Sequence, residues 1–206
     1  MVDGRGGRSS PPTNQTIRDA DWDSRDLLQH SYDHVEFVDV DMTEVDNVGT
    51  AFAQCVFRNV KFNASRHSDA AFVNCTLTAC SFFDATFTRC KLVGSTFERC
   101  SFSLLKVSGG DWSFVGLAGA DLRNASFTDV RMRECELTGA RCAGMTLRNA
   151  DLSGAFLHNV DFAGADLRGS DLSALDPFAA HVKGAIVDDE QAVAVAIALG
   201  LDVRLS

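Results

Sequence analysis

Residues 150–172 read ADLSGAFLHNVDFAGADLRGSDL, and an apolar side chain recurs at every fifth position of this stretch. The recurring residues are Leu152, Leu157, Phe162, Leu167 and Leu172. A small or short aliphatic residue generally stands two positions before each of them. Because helices repeat every 3.6 residues and strands every two, a period of five indicates neither an isolated helix nor a flat sheet.

The same period runs without insertion or deletion from Ile17 to Val187. Of the 35 positions in this register, 32 are aliphatic, aromatic or Cys, and the exceptions are Asn47, His67 and Pro177. Ten of the 12 glycines in this segment lie two residues after an apolar position. Five asparagines share that place: Asn59, Asn74, Asn124, Asn149 and Asn159. Since Gly and Asn tolerate positive φ, each unit is predicted to be a short straight segment that ends in a corner.

The seven cysteines follow the same register. Six lie two residues before an apolar position, and Cys142 lies on one. Spacings of ten and twenty would also suit a disulfide framework or a metal site. We favour the interpretation that Cys is a small apolar residue pointing inward, because the repeat then accounts for all seven, an odd number. This interpretation fits a reducing compartment.

The units ADLRN (120–124), ADLSG (150–154), ADLRG (165–169) and SDLSA (170–174) resemble the pentapeptide-repeat family, whose pattern is A-(D/N)-L-x-x. The resemblance covers residues 17–187 and implies an all-β fold, a right-handed quadrilateral β-helix with four units per turn, followed by a short C-terminal α-helix. Residue n then stacks on residue n + 20, so that Phe62, Phe82 and Phe102 form one interior column. At the spacing of paired strands the rod is roughly 40 Å long.

Three segments are expected. Residues 1–14, rich in Gly, Pro, Ser and Thr, form a flexible arm; residues 15–187 form the β-helix; residues 188–206 form a capping and dimerisation helix with a short strand. Asn47 and His67 would be stacked neighbours in the β-helix. We expect a local bulge there, with Val45 and Val48 turned inward; the alternative is a polar binding notch.

The C-terminal segment DDEQAVAVAIALG (188–200) predicts a helix capped by Asp188 or Asp189 and followed by Gly200. A helix that is apolar nearly all round must be buried on more than one side. We expect one side to close the last turn and the other to contact a second copy, giving a homodimer joined at its C-terminal ends. The alternative is a monomer whose tail covers the helix. The expected interface residues are Val193, Val195, Ile197, Leu199, Leu201 and Val203, and LDVRL (201–205) reads as a strand.

The formal net charge is −9, which disfavours direct binding to nucleic acid or to an anionic membrane surface. The charge is +1 over residues 1–16, −7 over 17–60, +3 over 61–149 and −6 over 150–206. No apolar run approaches the roughly 20 residues that span a bilayer, and the N-terminus has no apolar signal region. A cytoplasmic location is therefore expected.

The sequence lacks the common motifs that indicate catalysis, phosphate binding or metal binding. It has no Gly-rich phosphate loop, no HExxH and no Cys-x-x-Cys motif. We therefore expect no enzyme activity, no cofactor and no metal, and a rod whose surface binds a partner.

Within the family, the sequence is similar to the fluoroquinolone-resistance branch that acts on DNA gyrase, and more distantly to the Qnr branch. The similarity lies in the unbroken rod and in residues 175–201, with their D-P break and D-x-x-Q-A-V-A helix start. It implies a DNA mimic that inhibits gyrase or protects it from fluoroquinolones or natural toxins. The unbroken frame leaves no room for the projecting loops of Qnr proteins, and the basic middle third departs from a uniformly acidic rod.

On this hypothesis, acids that precede the apolar positions of the last turns replace phosphates on gyrase: Asp151, Asp161, Asp166, Asp171 and Asp176. Candidate apolar anchors are Phe83, Phe114 and Phe156, which are out of register with the repeat. The alternative function is that of a structural or adaptor rod that binds some other protein.

Overall fold

The chain winds as a parallel β-solenoid with twenty residues per turn. A computed structural model describes residues 10–204. Strands pair in parallel with the strand one turn later, as Gln15 does with Val35 and Thr76 with Thr96. The predicted β-helix, closed by one C-terminal helix, is confirmed.

The solenoid has four faces, numbered here in chain order. Face one carries β1 (Gln15–Arg18), β4 (Val35–Val38), β7 (Val56–Arg58), β10 (Thr76–Thr78) and β12 (Thr96–Glu98). Face three carries β2 (Asp26–Leu28), β5 (Asp46–Val48), β8 (Arg66–Ser68), β11 (Thr86–Thr88), β13 (Lys106–Ser108), β14 (Ser126–Thr128) and β15 (Thr146–Arg148). Face four carries β3 (Ser31–Asp33), β6 (Ala51–Ala53) and β9 (Ala71–Val73). Single parallel bridges, such as those joining Asp21, Asp41 and Lys61, hold face two.

Stacked apolar columns fill the interior. Phe62 and Phe82 stack with ring centroids 4.9 Å apart, and Phe82 and Phe102 follow at 5.6 Å, as predicted. Each fully buried Phe or Leu stabilises the fold by roughly 1.5–3 kcal/mol before conformational entropy is subtracted. The column therefore joins consecutive turns as well as the four faces.

The corners adopt positive φ at regular five-residue intervals. Gly49 (φ 70°) and Asn74 (φ 52°) lie at corners, as predicted. Leu104 and Phe114 also have φ of 61°, although neither residue type favours it. The ladders on both sides of a corner fix its backbone, so the fold imposes this conformation on whatever residue lies there, at a cost of roughly 1–2 kcal/mol.

One predicted corner differs. Asn124 does not have positive φ, so the expectation for it was wrong. At the preceding corner, the N–H of Gly119 donates to the carbonyl of Thr138 at 2.9 Å. Within residues 10–204 the N–H of Asn124 makes no backbone bond of this kind, but neither does that of Leu104, whose φ is positive, so the missing bond does not by itself explain the difference.

The cysteines are inward-facing small residues, as predicted. All seven thiols are free, and six are buried, with Cys100 partly exposed. Thiols at the inward positions donate to backbone carbonyls, as Cys90 Sγ does to the carbonyl of His67 at 3.4 Å. Burial raises the pKa of Cys135 and of Cys142 to about 12, which keeps both thiols protonated at neutral pH.

Asn47 and His67 form neither a bulge nor a notch, so both sequence interpretations were wrong. The two residues pair in register and are 0% and 1% exposed. Val45 occupies an ordinary inward position, and Val48 points outward with 40% of its surface exposed. Polar side chains occupy a core column here because they satisfy one another.

The hydrogen bonds define the state of the His67 ring. The Ser65 hydroxyl donates to the carbonyl of Phe62 at 2.7 Å, so its oxygen must accept at the 2.9 Å contact with His67 Nε2. Nε2 therefore carries the ring proton, and Nδ1 accepts from the Asn47 amide at 3.0 Å. Burial lowers the pKa of His67 to about 3, so the ring is neutral at physiological pH.

Helix α1 (Asp189–Ala198) closes the last turn. Asp188 caps it and, with Gln191, forms a capping box, and Gly200 follows with φ 85°, as predicted. The side chain of Gln191 is buried, and its amide donates to the carbonyls of Leu167 and Ser170, both at 2.7 Å. The helix thus satisfies backbone groups that the end of the solenoid would otherwise leave unpaired.

Two predictions concern the C-terminal strand and the N-terminal arm. Residues 201–204 form no strand, so the strand predicted for 201–205 is absent from the described part of that segment, and Leu205 lies outside it. A strand needs a neighbour to pair with, and nothing in the described chain lies alongside residues 201–204 in that way. Of the arm predicted for residues 1–14, residues 1–9 lie outside the described part of the chain.

Candidate partner-binding surfaces

The five acids predicted as phosphate substitutes lie around the rod, on all four faces. Asp176 lies on face one, Asp161 on face two and Asp166 on face three; face four holds Asp151 and Asp171, one turn apart. They all project outward, as expected. Because consecutive units occupy consecutive faces, these five acids cannot share one flat patch.

Two of these acids are neutralised within the chain. Asp151 forms an ion pair with Arg133 and accepts from the Ser153 hydroxyl at 2.7 Å. Asp166 accepts from Arg168 through Nη2 at 2.7 Å and Nε at 2.9 Å, and these hydrogen bonds hold the pKa of its carboxyl at about 2.

The other three acids carry unpaired charge. In the described part of the chain, none of Asp161, Asp171 and Asp176 forms an ion pair; each accepts only from the backbone N–H two residues later, at 2.9–3.1 Å. We call these three residues the acidic ring, because they surround the C-terminal end of the rod on three faces.

The basic middle third offers few free cations. Its cations pair with acids one turn away, as Arg89 does with Asp69 at 2.6 Å and Arg141 with Asp121 at 3.0 Å. Pairs of exposed groups like these contribute little to stability, about 0–1 kcal/mol. Their effect is to cancel the local charge, so the rod has no strongly basic central band.

The three candidate aromatic anchors are exposed, but they do not form one site. Phe83 is 51% exposed and lies on face two. Phe114 and Phe156, at 44% and 56%, both line a groove of about 580 Å³ on and beside face one. We call this the face-one groove; its main residues are Glu98, Phe114, Gly116, Glu134, Glu136 and Phe156.

The sequence analysis did not identify the three glutamates of this groove. A signal was present, because twenty-residue stacking places Gly116, Glu136 and Phe156 side by side in one column.

The C-terminal end exposes apolar surface. A cavity of about 270 Å³ lies between α1 and the last turn, and its lining is apolar. Ile197, Leu199 and Leu201 are 58%, 44% and 61% exposed, as a docking surface requires. Val195 is half-buried and packs in part against the chain's own core. Val193 and Val203 are half-buried.

Residues 10–204 contain no group of three or more His, Cys, Asp or Glu side chains placed to hold a metal ion. Over the same residues, no helix has the length and apolar character needed to cross a membrane.

The comparisons with known proteins point to one family. Residues 80–157 match the family model described as a pentapeptide repeat region. Among curated proteins, no sequence matches the chain.

Solved structures of QnrB1, a plasmid-mediated fluoroquinolone resistance protein, have the same fold. The full-length form is 18% identical, with 92% of this chain and 99% of that chain covered and a TM-score of 0.55. Two trypsin-treated forms are 22% and 21% identical, each with 94% and 99% coverage and with TM-scores of 0.53 and 0.54. Residues 80–157 thus match the pentapeptide-repeat family, and the same five-residue period and twenty-residue turn continue on both sides of this segment.

Proposed function

We propose that this protein binds bacterial DNA gyrase in place of DNA, and thereby inhibits the enzyme or protects it from fluoroquinolones or natural gyrase toxins. The observation that carries the proposal is the acidic ring. It places three unpaired carboxylates around a narrow rod, beside an apolar end suited to a second copy. The solved QnrB1 structures, described as a fluoroquinolone resistance protein, support it.

The positions of the acids on several faces determine which shape of gyrase surface they can contact. Duplex DNA also presents phosphates on every side of its axis. Acids on several faces therefore suit a concave, positively charged surface that embraces the rod better than a flat one. Two chains carry twice the net charge of −9, whereas duplex DNA carries about one charge per 1.7 Å, or roughly 47 over 80 Å. Any imitation of DNA is therefore local.

We also propose that two copies join at their C-terminal ends, through Ile197, Leu199 and Leu201. This arrangement would bring two acidic rings together at the centre of one long rod. Sedimentation of the wild type and of an Ile197→Ser/Leu201→Ser variant tests it: the variant should become monomeric while its helix content stays unchanged.

Gyrase assays test the main proposal. Wild-type protein at micromolar concentration should inhibit supercoiling or reduce ciprofloxacin-stabilised DNA cleavage. An Asp161→Lys/Asp171→Lys variant should lose most of this effect, and the wild-type effect should weaken as salt rises.

The matched control is Asp21→Lys/Asp23→Lys. It makes the same change in net charge at the opposite end of the rod, and Asp21 also accepts from a backbone N–H two residues later. Equal loss of effect in both variants would show that net charge alone matters. Absence of any wild-type effect on gyrase would refute the proposal.

A second candidate is an adaptor rod for another protein. The neutralisation of Asp151 and Asp166 favours it, because it removes charge that a DNA mimic would use. Capture from bacterial lysate distinguishes the two functions: gyrase subunits among the retained proteins support the first, and their consistent absence supports the second.

A further inference from the structure

The face-one groove exists because Gly116 has no side chain. Thr96, Gly116, Glu136 and Phe156 are neighbours in one column, joined by parallel bridges. Gly116 does not have the positive φ that would require glycine. A Cβ atom there would lie 3.0 Å from Thr96 Cγ2, so the absence of a side chain opens the space between Thr96 and Glu136.

Two aromatic rings border this space. Phe156 is 56% exposed, and Phe114 is 44% exposed on the corner that leads into face one. Phe114 holds a positive φ that a bulky residue adopts only at a cost.

The groove is acidic, and its acids are unpaired. Within residues 10–204, Glu98, Glu134 and Glu136 form no ion pair, and Arg99 is the only cation that lines the groove. Glu136 accepts from the N–H of Thr138 at 2.8 Å through one oxygen, which leaves the other available. Most acids of neighbouring turns are instead neutralised.

From this geometry we infer that the groove binds an arginine side chain from a basic segment of a partner protein. A planar guanidinium stacks on an aromatic ring while donating to carboxylates, and it is more weakly hydrated than a lysine ammonium. Three carboxylates repel phosphate, so the groove does not suit nucleic acid. The inference rests on the proposed function only for the identity of the partner.

The test is a titration of the full-length, ¹⁵N-labelled protein, followed by NMR. The probe is a short Gly/Ser peptide with two arginines, and the control peptide has citrulline in their place. The arginine peptide should shift amide signals of residues 96–118 and 134–156, with a Kd on the order of 1 mM or lower. The citrulline peptide, which lacks the charge, should cause no saturable shift.

Variants assign the binding to the groove. Glu134→Gln/Glu136→Gln should weaken binding about tenfold, and Phe156→Ser should weaken it severalfold. Phe83→Ser is the matched control, since Phe83 is as exposed but lies on face two, and it should leave the affinity unchanged. Unchanged circular dichroism and melting temperature establish that each variant is folded.

The outcomes separate the two proposals. Absence of binding, equal binding of the citrulline peptide, or equal loss in Phe83→Ser would overturn the groove assignment. Gyrase binding that survives groove variants unable to bind the arginine peptide would refute gyrase as the partner of the groove and leave the proposed function intact. Peptide binding without any effect on gyrase would support the groove and refute gyrase as the partner.

Discussion

The buried His67 makes the stability of this protein depend on pH in a way that can be calculated. In the folded protein the His67 ring is neutral and forms hydrogen bonds at both nitrogens, and its pKa is lowered to about 3. In the unfolded chain a His side chain has a pKa of about 6.5. Between these values the unfolded chain binds a proton that the folded chain does not bind. Stability is therefore fully present above about pH 6.5 and falls as the pH is lowered through this window.

The magnitude follows from the two pKa values. From pH 7 to pH 5, the unfolded ring becomes almost fully protonated, which lowers the free energy of unfolding by about 2 kcal/mol. When the pH is lowered further to 3, the total decrease in the free energy of unfolding is about 4–5 kcal/mol. Among the side chains that contact the ring, Asn47, Ser65 and the phenyl rings do not titrate in this range. The Cys90 thiol, which bonds to the His67 carbonyl, has its pKa raised by burial to about 11.

The assay is urea unfolding at several pH values, for the wild type and for an Asn47→Leu/His67→Phe variant. All other titrating groups are common to the two proteins, so the difference between their pH dependences isolates His67. The double variant should lack about 2 kcal/mol of the wild-type loss between pH 7 and pH 5. At pH 7 it should be less stable than the wild type by about 1–3 kcal/mol, because the buried N–H of Thr50 loses its acceptor, Asn47 Oδ1, at 3.3 Å.

The single variant His67→Phe provides the control. It should also lose the pH dependence, but it leaves the Asn47 amide buried without its partner, at a cost of about 1–3 kcal/mol at pH 7. Equal pH dependence in the wild type and the double variant would refute the reasoning. So would a His67 ring signal that titrates near pH 6.5 in the folded protein by NMR.

Three further changes test the account of the fold by chemical denaturation. Gln191→Leu should destabilise the protein by about 1–3 kcal/mol, because two carbonyls of the last turn lose their donor; a loss within 0.3 kcal/mol would contradict the capping role. Leu104→Asn should stabilise it by roughly 0.5–1 kcal/mol, since Asn tolerates the positive φ of that corner; a loss would contradict this. Gly110→Ala should cost more than Gly119→Ala by at least about 2 kcal/mol, because its Cβ would meet the Cys90 carbonyl oxygen at 2.1 Å while Gly119 has open space; equal costs would show that the corners relax.

The sequence predicted the repetitive part of the fold well, for a physical reason. The inward and outward positions of each five-residue unit follow from its own sequence, so the pattern predicts that Phe62 and Phe82 lie in one column. The positions of Asp188 and Gly200 at the ends of the helix were also predictable from the sequence, because capping depends on local hydrogen bonds and φ values.

The expectations that failed depended on relations between turns. Asn47 and His67 were expected to stack but to form a bulge or a notch, whereas the hydrogen bond between them lets each satisfy the other and makes burial favourable. The acids were read as a series along the chain, although four successive units point to four directions. The partners of Asp151 and Asp166 are arginines, and a rule of n ± 20 alone does not find Arg133 or Arg168, which lie 18 and two residues away.

The most direct test of the functional proposal is competition between this protein and duplex DNA for gyrase. Fluorescence anisotropy of labelled DNA bound to gyrase would be measured as the protein is added. If the acidic ring occupies the DNA-binding surface, the protein should release the DNA, and the Asp161→Lys/Asp171→Lys variant should do so at least about tenfold less effectively. A complex that retains DNA while the protein is bound, or DNA that is never displaced, would contradict the proposal.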